Sequence, residues 1–428
     1  MSIYLKNARY INYETFEITN THIKVDKGFN NEIEFLDILP EYYNTEDVII
    51  DCKNNIVTHS FVNAHHHVYS ALARGMNPPK VIPSNFYEIL KYVWWALDKC
   101  LDADMIRLSA LVTAMTCAKN GVTFVIDHHA SPFYIKNSLN IIAEAFDEVG
   151  VSHLLCYEIT DRDGLDKAED GLIETEEYLK KRQGLVGLHA SFTISDNTLN
   201  KAVELTRKFN SGIHIHVAED KYDQDFAMEN YNKRVIERLA GAGVLDFSKT
   251  ILAHCIHINE IERDIIANSP CWVVQNAESN LNNNVGFFNS EGLSDRIMLG
   301  TDGMHSDMLR SAKAAFLIGQ PFDKVKGGLT YKAAYQRFRR AHDYISKNGF
   351  IGDDSNNLVV LDYDSPTPVN ESNFVGHFIF GIESRHVKHV ISSGDLILHD
   401  GKLVNVDESE ILEQSQKIAT ELWELMSK

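Results

Sequence analysis

The middle of this chain, from about residue 56 to 350, alternates short apolar runs typical of strands with stretches spaced like amphipathic helices. Eight candidate strands are centred on Phe61–His67, Val122–Asp127, His153–Ile159, Leu185–Ser191, Ile213–Val217, Ile251–Cys255, Cys271–Gln275 and Ile297–Gly300. The helical stretches between them include Leu108–Lys119, Ser138–Val149, Glu174–Arg182 and Leu199–Asn210. Repeated strand–helix units predict an α/β fold, a (β/α)8 barrel of the TIM type. No glycine-rich phosphate loop follows the first strand, which disfavours a dinucleotide-binding fold.

Both ends of the chain carry a different pattern, in which short apolar runs are separated by turn residues. The runs are Ile3–Leu5, Ile23–Val25, Ile33–Phe35 and Val48–Ile50 at the start, and Leu358–Leu361, His389–Ile391, Leu396–Leu398 and Leu403–Val404 near the end. Asp400-Gly401 is typical of a hairpin turn. We therefore expect residues 1–55 and 356–428 to share one small β-sandwich, which ends in a helix, beside a barrel of residues 56–355.

The composition narrows the classes of partner. The 428 residues carry a formal charge of −19, which disfavours nucleic acids and anionic membranes as partners. No apolar run reaches the roughly 18 residues of a membrane span, and Met1–Lys6 does not begin a secretory signal pattern. The six cysteines are scattered without a CxxC pair, which fits free thiols in a reducing compartment. We expect a cytoplasmic protein.

Polar residues gather where the candidate strands end, and in a barrel of this type the active site lies at those ends. They are His65 and His67, Asp127–His129, Glu158–Asp163, His189 and Ser191, His214–Glu219, His254–His257, Gln275–Asn280 and Thr301–Gly303. His65 and His67 share one face of their strand, so both imidazoles can ligate one zinc or iron ion. Packing is a poor explanation for polar residues at nearly every strand end, and we predict an active site.

These residues resemble the motifs of the amidohydrolase superfamily, in the branch of guanine and S-adenosylhomocysteine deaminases and triazine chlorohydrolases. The shared motifs are Asn63–His67, Leu72–Gly75, His216–Glu219, His254–Cys255, Ser279–Asn280 and Gly300–Gly303. Within that branch the chain is most similar to the SsnA-type aminohydrolases, through His65–Met76, Asp127–Pro132 and Thr160–Gly164. The chain departs from the family at His59-Ser60, where the family usually has Pro-Gly.

The resemblance implies one metal ion held by His65, His67, His216 and Asp302. Three imidazoles and one carboxylate suit Zn²⁺, and Fe²⁺ fits the same ligands. Members of the superfamily with two ions bridge them with a carboxylated lysine on the fourth strand. The corresponding run Leu185–Ser191 contains no lysine, so one divalent ion is expected.

The resemblance also implies a reaction. A metal-bound hydroxide attacks the substrate, Asp302 takes the proton from the water, Glu219 passes a proton to the ring nitrogen, and His254 orients the hydroxide. We expect hydrolysis of a C–N bond in a small purine-like heterocycle, with release of ammonia. Opening of a cyclic amide and release of chloride use the same hydroxide and stay open as alternatives. A silent metal-binding protein is disfavoured, because it would not need both Glu219 and His254.

Three further residues are candidates for substrate contact. His189 matches a family position that contacts substrate, with support of a metal ligand as its alternative. His129 and its neighbour His128 mark the subgroup, and one of them is expected at the substrate. Arg162 is a candidate for binding a substrate carboxylate or carbonyl, with a salt bridge as its alternative. The aromatic segment Phe86–Leu97 is expected to form a helical lid, and the resemblance implies a homodimer.

Overall fold

The computed structural model describes residues 2–323 and 329–427, whose strands fall into two sheets. The strands of the amino-terminal segment are β1 (Ser2–Ile11), β2 (Ile18–Asp26), β3 (Glu34–Leu36), β4 (Val48–Asp51) and β5 (Ile56–His59). Those of the middle segment are β6 (Phe61–His66), β7 (Val122–His129), β8 (Ser152–Ile159), β9 (Val186–Ala190), β10 (Ile213–Val217), β11 (Ile251–His254), β12 (Trp272–Gln275) and β13 (Ile297–Leu299). The last are β14 (Leu358–Leu361), β15 (Val387–Ser392), β16 (Asp395–His399) and β17 (Lys402–Leu403).

The strands β6 to β13 form the predicted barrel. They are parallel, and each pairs with the next in chain order. The ring closes after β13, where the backbone amides of Thr301 and Asp302 donate to the carbonyl oxygen of His65 at 3.1 and 3.0 Å. The α/β barrel prediction is confirmed. This closure also carries Asp302 to the end of β6, beside the first histidines.

Helices cover the outside of the barrel and follow its strands. They are α1 (Phe86–Ile89), α2 (Trp95–Asp98), α3 (Ala103–Lys119), α4 (Ser138–Val149), α5 (Leu165–Leu179), α6 (Asp196–Phe209), α7 (Lys221–Tyr231), α8 (Val235–Gly241), α9 (Glu260–Asn268), α10 (Ala277–Asn282), α11 (Met308–Phe322), α12 (Tyr331–Lys347), α13 (Phe374–Phe380) and α14 (Glu408–Met426). A single π-helical turn, Leu90–Trp94, joins α1 to α2. Within the described residues, no helix is both long and apolar enough to cross a membrane.

The helix α6 shows how local sequence sets these elements. Ser195 caps its first turn by accepting from the amide of Thr198, and its buried residues Leu199, Ala202 and Val203 follow the helical period. The helix ends at Asn210, which adopts the left-handed conformation with φ 48°.

The helix α5 was predicted too short, because it begins at Leu165 and not at Glu174. Its first half packs through small residues that give little apolar periodicity. A side chain at Gly171 would lie 3.0 Å from the ring of Tyr157, so this position needs close approach to β8. The need for a glycine at this position is set by Tyr157 of the neighbouring strand, so the sequence of the helix alone does not indicate it.

The two ends of the chain share one β unit, as predicted. Their strands form one continuous mixed sheet, in which β5 pairs with β1 in parallel and with β14 in antiparallel orientation. One face of the sheet buries an apolar cluster that includes Ile3, Ile23, Val57, Leu358 and Ile391. The domain boundaries placed after residues 55 and 355 stay a prediction.

The terminal helix α14 begins at Glu408, where the sequence places it, with Asp407 as its cap. It packs against α3 and the short turn Val68–Ala73 that follows β6. The indole Nε1 of Trp423 donates to the carbonyl oxygen of Leu72 at 2.9 Å. The last helix of the chain therefore holds the turn that leaves the first barrel strand.

Arg339 of α12 fixes the crossing from the terminal sheet into the barrel. Its Nη1 donates to the carbonyl oxygens of His59 and Ser60, at 3.0 and 2.7 Å. The side chain is buried, and the rings of Tyr13 and Phe61 lie 5.1 and 5.2 Å from its guanidinium carbon. His59 and Ser60, which stand where the family usually has Pro-Gly, are thus held by hydrogen bonds from the Arg339 guanidinium.

We expect Arg339→Met to lower the free energy of unfolding by about 3 kcal/mol, because two buried carbonyl groups lose a charged hydrogen-bond donor. Urea unfolding followed by circular dichroism measures the change. The matched control is Arg340→Met, since Arg340 is partly exposed and pairs with Asp295 and Asp343. The control should lose less than about 1 kcal/mol, and equal losses in the two variants would contradict the assignment.

Candidate active site

A cavity opens at the carboxyl ends of the barrel strands. Its inner end is formed by His67, His216, Glu219 and Asp302. Its walls are largely aromatic and include Phe86, Tyr87, Trp94, Trp95, Phe192 and Tyr222. The helical segment of α1 and α2 supplies four of these rings. The apolar walls, with a few polar groups at the inner end, suit a small organic molecule.

The four predicted metal ligands lie together at the inner end of the cavity. His67 Nε2 is 3.1 Å from both His216 Nε2 and Asp302 Oδ1, and His65 Nε2 is 3.7 Å from Asp302 Oδ1. Donor atoms of His65, His67 and His216 all lie within 4.8 Å of one another. All four side chains are buried.

The other ring nitrogen of each ligand imidazole is held by a neighbour. The Nδ1 atoms of His67 and His216 each contact a backbone carbonyl oxygen, which can only accept a hydrogen bond. Both imidazoles therefore carry a proton on Nδ1, and their Nε2 atoms face the cluster. These nitrogens lie 3.1 Å apart beside the Asp302 carboxylate, which raises the pKa of His67 to about 9 in spite of burial, so the cluster attracts a positive charge, either a proton or a metal ion. The buried His65 Nε2 also lacks a hydrogen-bond partner, so the donor set fits a divalent metal. The three contacts are His65 Nδ1 to His214 Nε2 at 2.9 Å, His67 Nδ1 to the His128 carbonyl at 2.7 Å and His216 Nδ1 to the His189 carbonyl at 2.8 Å.

Left-handed backbone at three strand ends aims side chains into the site. Ala218, His254 and Asp302 have φ of 44°, 71° and 54°, which costs about 1–3 kcal/mol for each residue that bears a Cβ. Local hydrogen bonds hold two of these conformations. The amide of Ala218 donates to Asp223 Oδ2 at 2.9 Å, and the amide of Gly303 donates to Asp302 Oδ1 at 2.8 Å. Backbone strain of this kind concentrates at functional sites.

Glu219 and His254 face each other beside the cluster. His254 Nε2 lies 3.4 Å from Glu219 Oε2 and 3.7 Å from Asp302 Oδ2. The Asn280 amide donates to His254 Nδ1 at 2.8 Å, so the imidazole carries its proton on Nε2, where it has no hydrogen-bond partner. Burial raises the pKa of Glu219 well above its usual range, and the Asp302 carboxylate adds to the effect. A carboxyl group that holds a proton readily is suited to proton transfer.

The structure brings two of the three substrate-contact candidates to the cavity. His189 lines it, with Nδ1 2.8 Å from Thr193 Oγ1. Arg162 also lines it, but the guanidinium is bonded to three carboxylates. His129 does not line it, because its Nε2 lies 3.0 Å from Ser131 Oγ, behind the ring of Tyr69.

The histidines that neighbour the predicted ligands make contacts around the cluster. His66 points to the opposite face of β6, where its Nδ1 lies 2.6 Å from the carbonyl oxygen of Asp302. His214 sits one layer deeper than His216 and contacts His65. His128 Nε2 lies 3.1 and 3.2 Å from the carbonyl oxygens of Leu188 and His214.

Three residues of the site were given no individual role in the sequence analysis. Ser279 Oγ donates to Asp302 Oδ2 at 2.6 Å, and Tyr69 lines the cavity two residues after His67. Glu158 lies at the end of β8 and also lines the cavity. The sequence analysis placed Glu158 at a strand end, and alternation along β8 could also have put it on the inward face, which it shares with Leu154 and Cys156 of the barrel interior.

Comparison with known proteins gives a consistent result. Residues 56–337 match the model of the amidohydrolase family. The 5'-deoxyadenosine deaminase of Methanopyrus kandleri is 30% identical over 431 residues, which cover 95% of this chain and 96% of that protein. An adenosine deaminase from Xanthomonas campestris, solved with bound zinc, superposes with a TM-score of 0.80 at 17% identity, covering 98% of each chain. The E. coli guanine deaminase superposes with a TM-score of 0.75 at 16% identity, covering 93% of this chain and 99% of that one.

The two solved structures share the fold of this chain. The family model and the Methanopyrus protein also match its sequence. The family model covers well over half of the chain, and the Methanopyrus protein aligns with nearly all of it. The predicted resemblance is therefore confirmed: this chain belongs to the amidohydrolase family.

Proposed function

We propose that this amidohydrolase is a metal-dependent deaminase, which hydrolyses the bond between an exocyclic amino group and a purine-like ring and releases ammonia. The observation that carries the proposal is the pairing of Glu219 Oε2 with His254 Nε2, 3.4 Å apart at the edge of the ligand cluster. One group can move a proton and the other can donate a hydrogen bond. A site that only stored a metal would need neither.

The ion is assigned to His65, His67, His216 and Asp302, with Zn²⁺ as our first candidate and Fe²⁺ as the alternative. When bound, a divalent ion supplies the Lewis acidity that makes water nucleophilic near neutral pH. The residues around the ligands hold the imidazoles in a single orientation, and Ser279 Oγ does the same for the Asp302 carboxylate.

The remaining steps fall to the side chains of the chain itself. Asp302 accepts the proton that the attacking water loses. Glu219 delivers the proton of its carboxyl group to the ring nitrogen beside the attacked carbon. The proton held by Asp302 passes to the departing amine, and Glu219 recovers a proton from the new hydroxyl group as the ring carbonyl forms. His254 donates from Nε2 to the oxygen on which negative charge develops. Ammonia leaves after it has been protonated.

The walls of the cavity support a flat ring as substrate. Trp95 and Phe192 line the cavity with aromatic rings that favour a flat heterocycle, and the polar ring of His189 lies 5.9 and 5.6 Å from them. The relatives named above support adenine nucleosides such as 5'-deoxyadenosine as the first compounds to test. The expected homodimer stays a prediction, and light scattering would test it.

We expect the zinc-loaded protein to release ammonia from at least one adenine or guanine compound, with exchange of the amino group for an oxygen and an intact ring. A coupled ammonia assay and mass spectrometry of the products measure both. The panel contains 5'-deoxyadenosine, adenosine, guanine, a pterin, a cyclic amide and a chlorinated triazine. Ring opening without ammonia, or release of chloride alone, would contradict the proposal.

A further inference from the structure

Among the described residues that line the cavity, Arg162 is the one arginine or lysine, and carboxylates enclose it. Its Nη1 donates to Glu158 Oε1 at 3.0 Å and its Nε to Asp163 Oδ2 at 2.9 Å, while Nη2 donates to Asp98. The side chain is 7% exposed, and the ring of Trp95 lies 5.0 Å from the guanidinium carbon. The single positive charge of Arg162 is thus surrounded by three carboxylates and largely shielded from water.

More carboxylates face the same space. Glu219, Asp220, Asp223 and Asp302 line the cavity together with Glu158. With Glu219 protonated, as the proposed mechanism requires, the other four acids and the single guanidinium give the lining a formal charge of −3, and a bound divalent ion would reduce it to −1. The net charge of −19 on the whole chain adds a potential of the same sign. An anion entering the cavity would therefore meet repulsion at long and at short range.

Glu158 has one oxygen engaged and one nearly free. Oε1 accepts from Arg162 Nη1 at 3.0 Å, whereas Oε2 lies 3.4 Å from His128 Nδ1. The salt bridge fixes the carboxylate in the cavity wall without consuming Oε2. That oxygen can accept a hydrogen bond from a hydroxyl or amino group.

We infer that the site takes neutral or cationic heterocycles and rejects those that carry a phosphate or carboxylate, because Arg162 serves Glu158 and is withheld from the substrate. This inference rests on the proposed function and names the substrate class of that site. Arg162 is then a positioning residue, and Glu158 Oε2 receives a hydroxyl or amino group of the substrate. Of the two roles considered for Arg162 above, the salt bridge is the one that this inference adopts.

The test compares two adenosine derivatives that differ in charge and hardly in shape, adenosine 5'-carboxamide and adenosine 5'-carboxylate. With the zinc-loaded full chain we expect kcat/KM for the carboxamide to exceed that for the carboxylate by at least about 100-fold, because like charges in one site are strongly disfavoured. A ratio below about threefold, or a preference for the carboxylate, would overturn the inference.

A variant tests whether the sequestered arginine is the cause. Asp163→Asn removes one acid from Arg162 without altering a residue that lines the cavity. We expect the preference for the carboxamide to fall at least about fivefold. The matched control is Asp225→Asn, an exposed acid on α7 that should leave the preference unchanged. Equal preferences in wild type and Asp163→Asn would overturn the assigned role of Arg162.

Deamination itself is tested independently of the charge preference, by whether the carboxamide releases any ammonia. Should neither derivative release ammonia while the carboxamide still binds, deamination of adenine nucleosides is refuted. The ratio of the two dissociation constants, measured by calorimetry, then decides the inference. Weaker binding of the carboxylate supports it, and equal binding overturns it.

Discussion

Glu219→Gln is expected to abolish turnover and to leave the metal in place. The amide has the size and the hydrogen-bonding shape of the acid but cannot take up and release a proton. Glu219 is not among the predicted ligands, and its Oε2 faces His254 Nε2 at 3.4 Å. We expect kcat to fall by about 10³-fold or more, which is typical for the loss of an essential proton carrier.

Two measurements on the same preparation check this result. Steady-state kinetics give kcat, and mass spectrometry of the metal gives the ion content of each chain. The matched control is Glu229→Gln on α7, where an exposed glutamate undergoes the same chemical change. A variant within tenfold of wild type would remove Glu219 from the mechanism. A variant that lost its metal would instead make Glu219 a support of the ligand cluster.

Removing the imidazole of a predicted metal ligand should reduce turnover as much as Glu219→Gln does, but through loss of the metal ion. His216 Nε2 lies 3.1 Å from His67 Nε2, and its Nδ1 is fixed by a backbone carbonyl. We expect His216→Ala to lose the ion and, with it, all measurable turnover. Because the ion binds the folded chain and not the unfolded one, the melting temperature should fall as well. The same fall is expected when wild type is stripped with a chelator.

Metal analysis after reconstitution with zinc or with iron measures the loss and also decides which ion supports turnover. The matched control is His305→Ala, which removes a partly buried imidazole that follows the same strand end as Asp302 but bonds to Glu278. This variant should keep the ion. If His216→Ala bound a full equivalent of metal, the four-ligand assignment would be wrong.

Much of the fold could be predicted from the chain alone, because strand and helix patterns are local. Every predicted barrel strand was found, and β7 differs only in running on to His129. The strand β5 was not predicted as part of the terminal sheet. Its four residues are all buried, so they show no alternation, and only its pairing with β1 and β14 reveals its place.

The site was predictable in part for a similar reason. His65 and His67 lie two residues apart on one strand, which is enough to put both imidazoles on one face. His216 and Asp302 meet them because parallel strands in a closed barrel end at the same rim. The roles of these residues stay a proposal until metal analysis is done.

What the sequence determined by itself was the family of the chain, the barrel and the groups that gather at its rim, since these depend on residue type and on spacing along single strands. The tertiary structure decided which of those groups are free to act. His129 bonds to Ser131 and does not line the cavity. Arg162 is enclosed by Glu158, Asp163 and the distant Asp98, which comes from the helix after the first strand. A partner 64 residues away leaves no periodic signal, because the contact exists only once the barrel has closed.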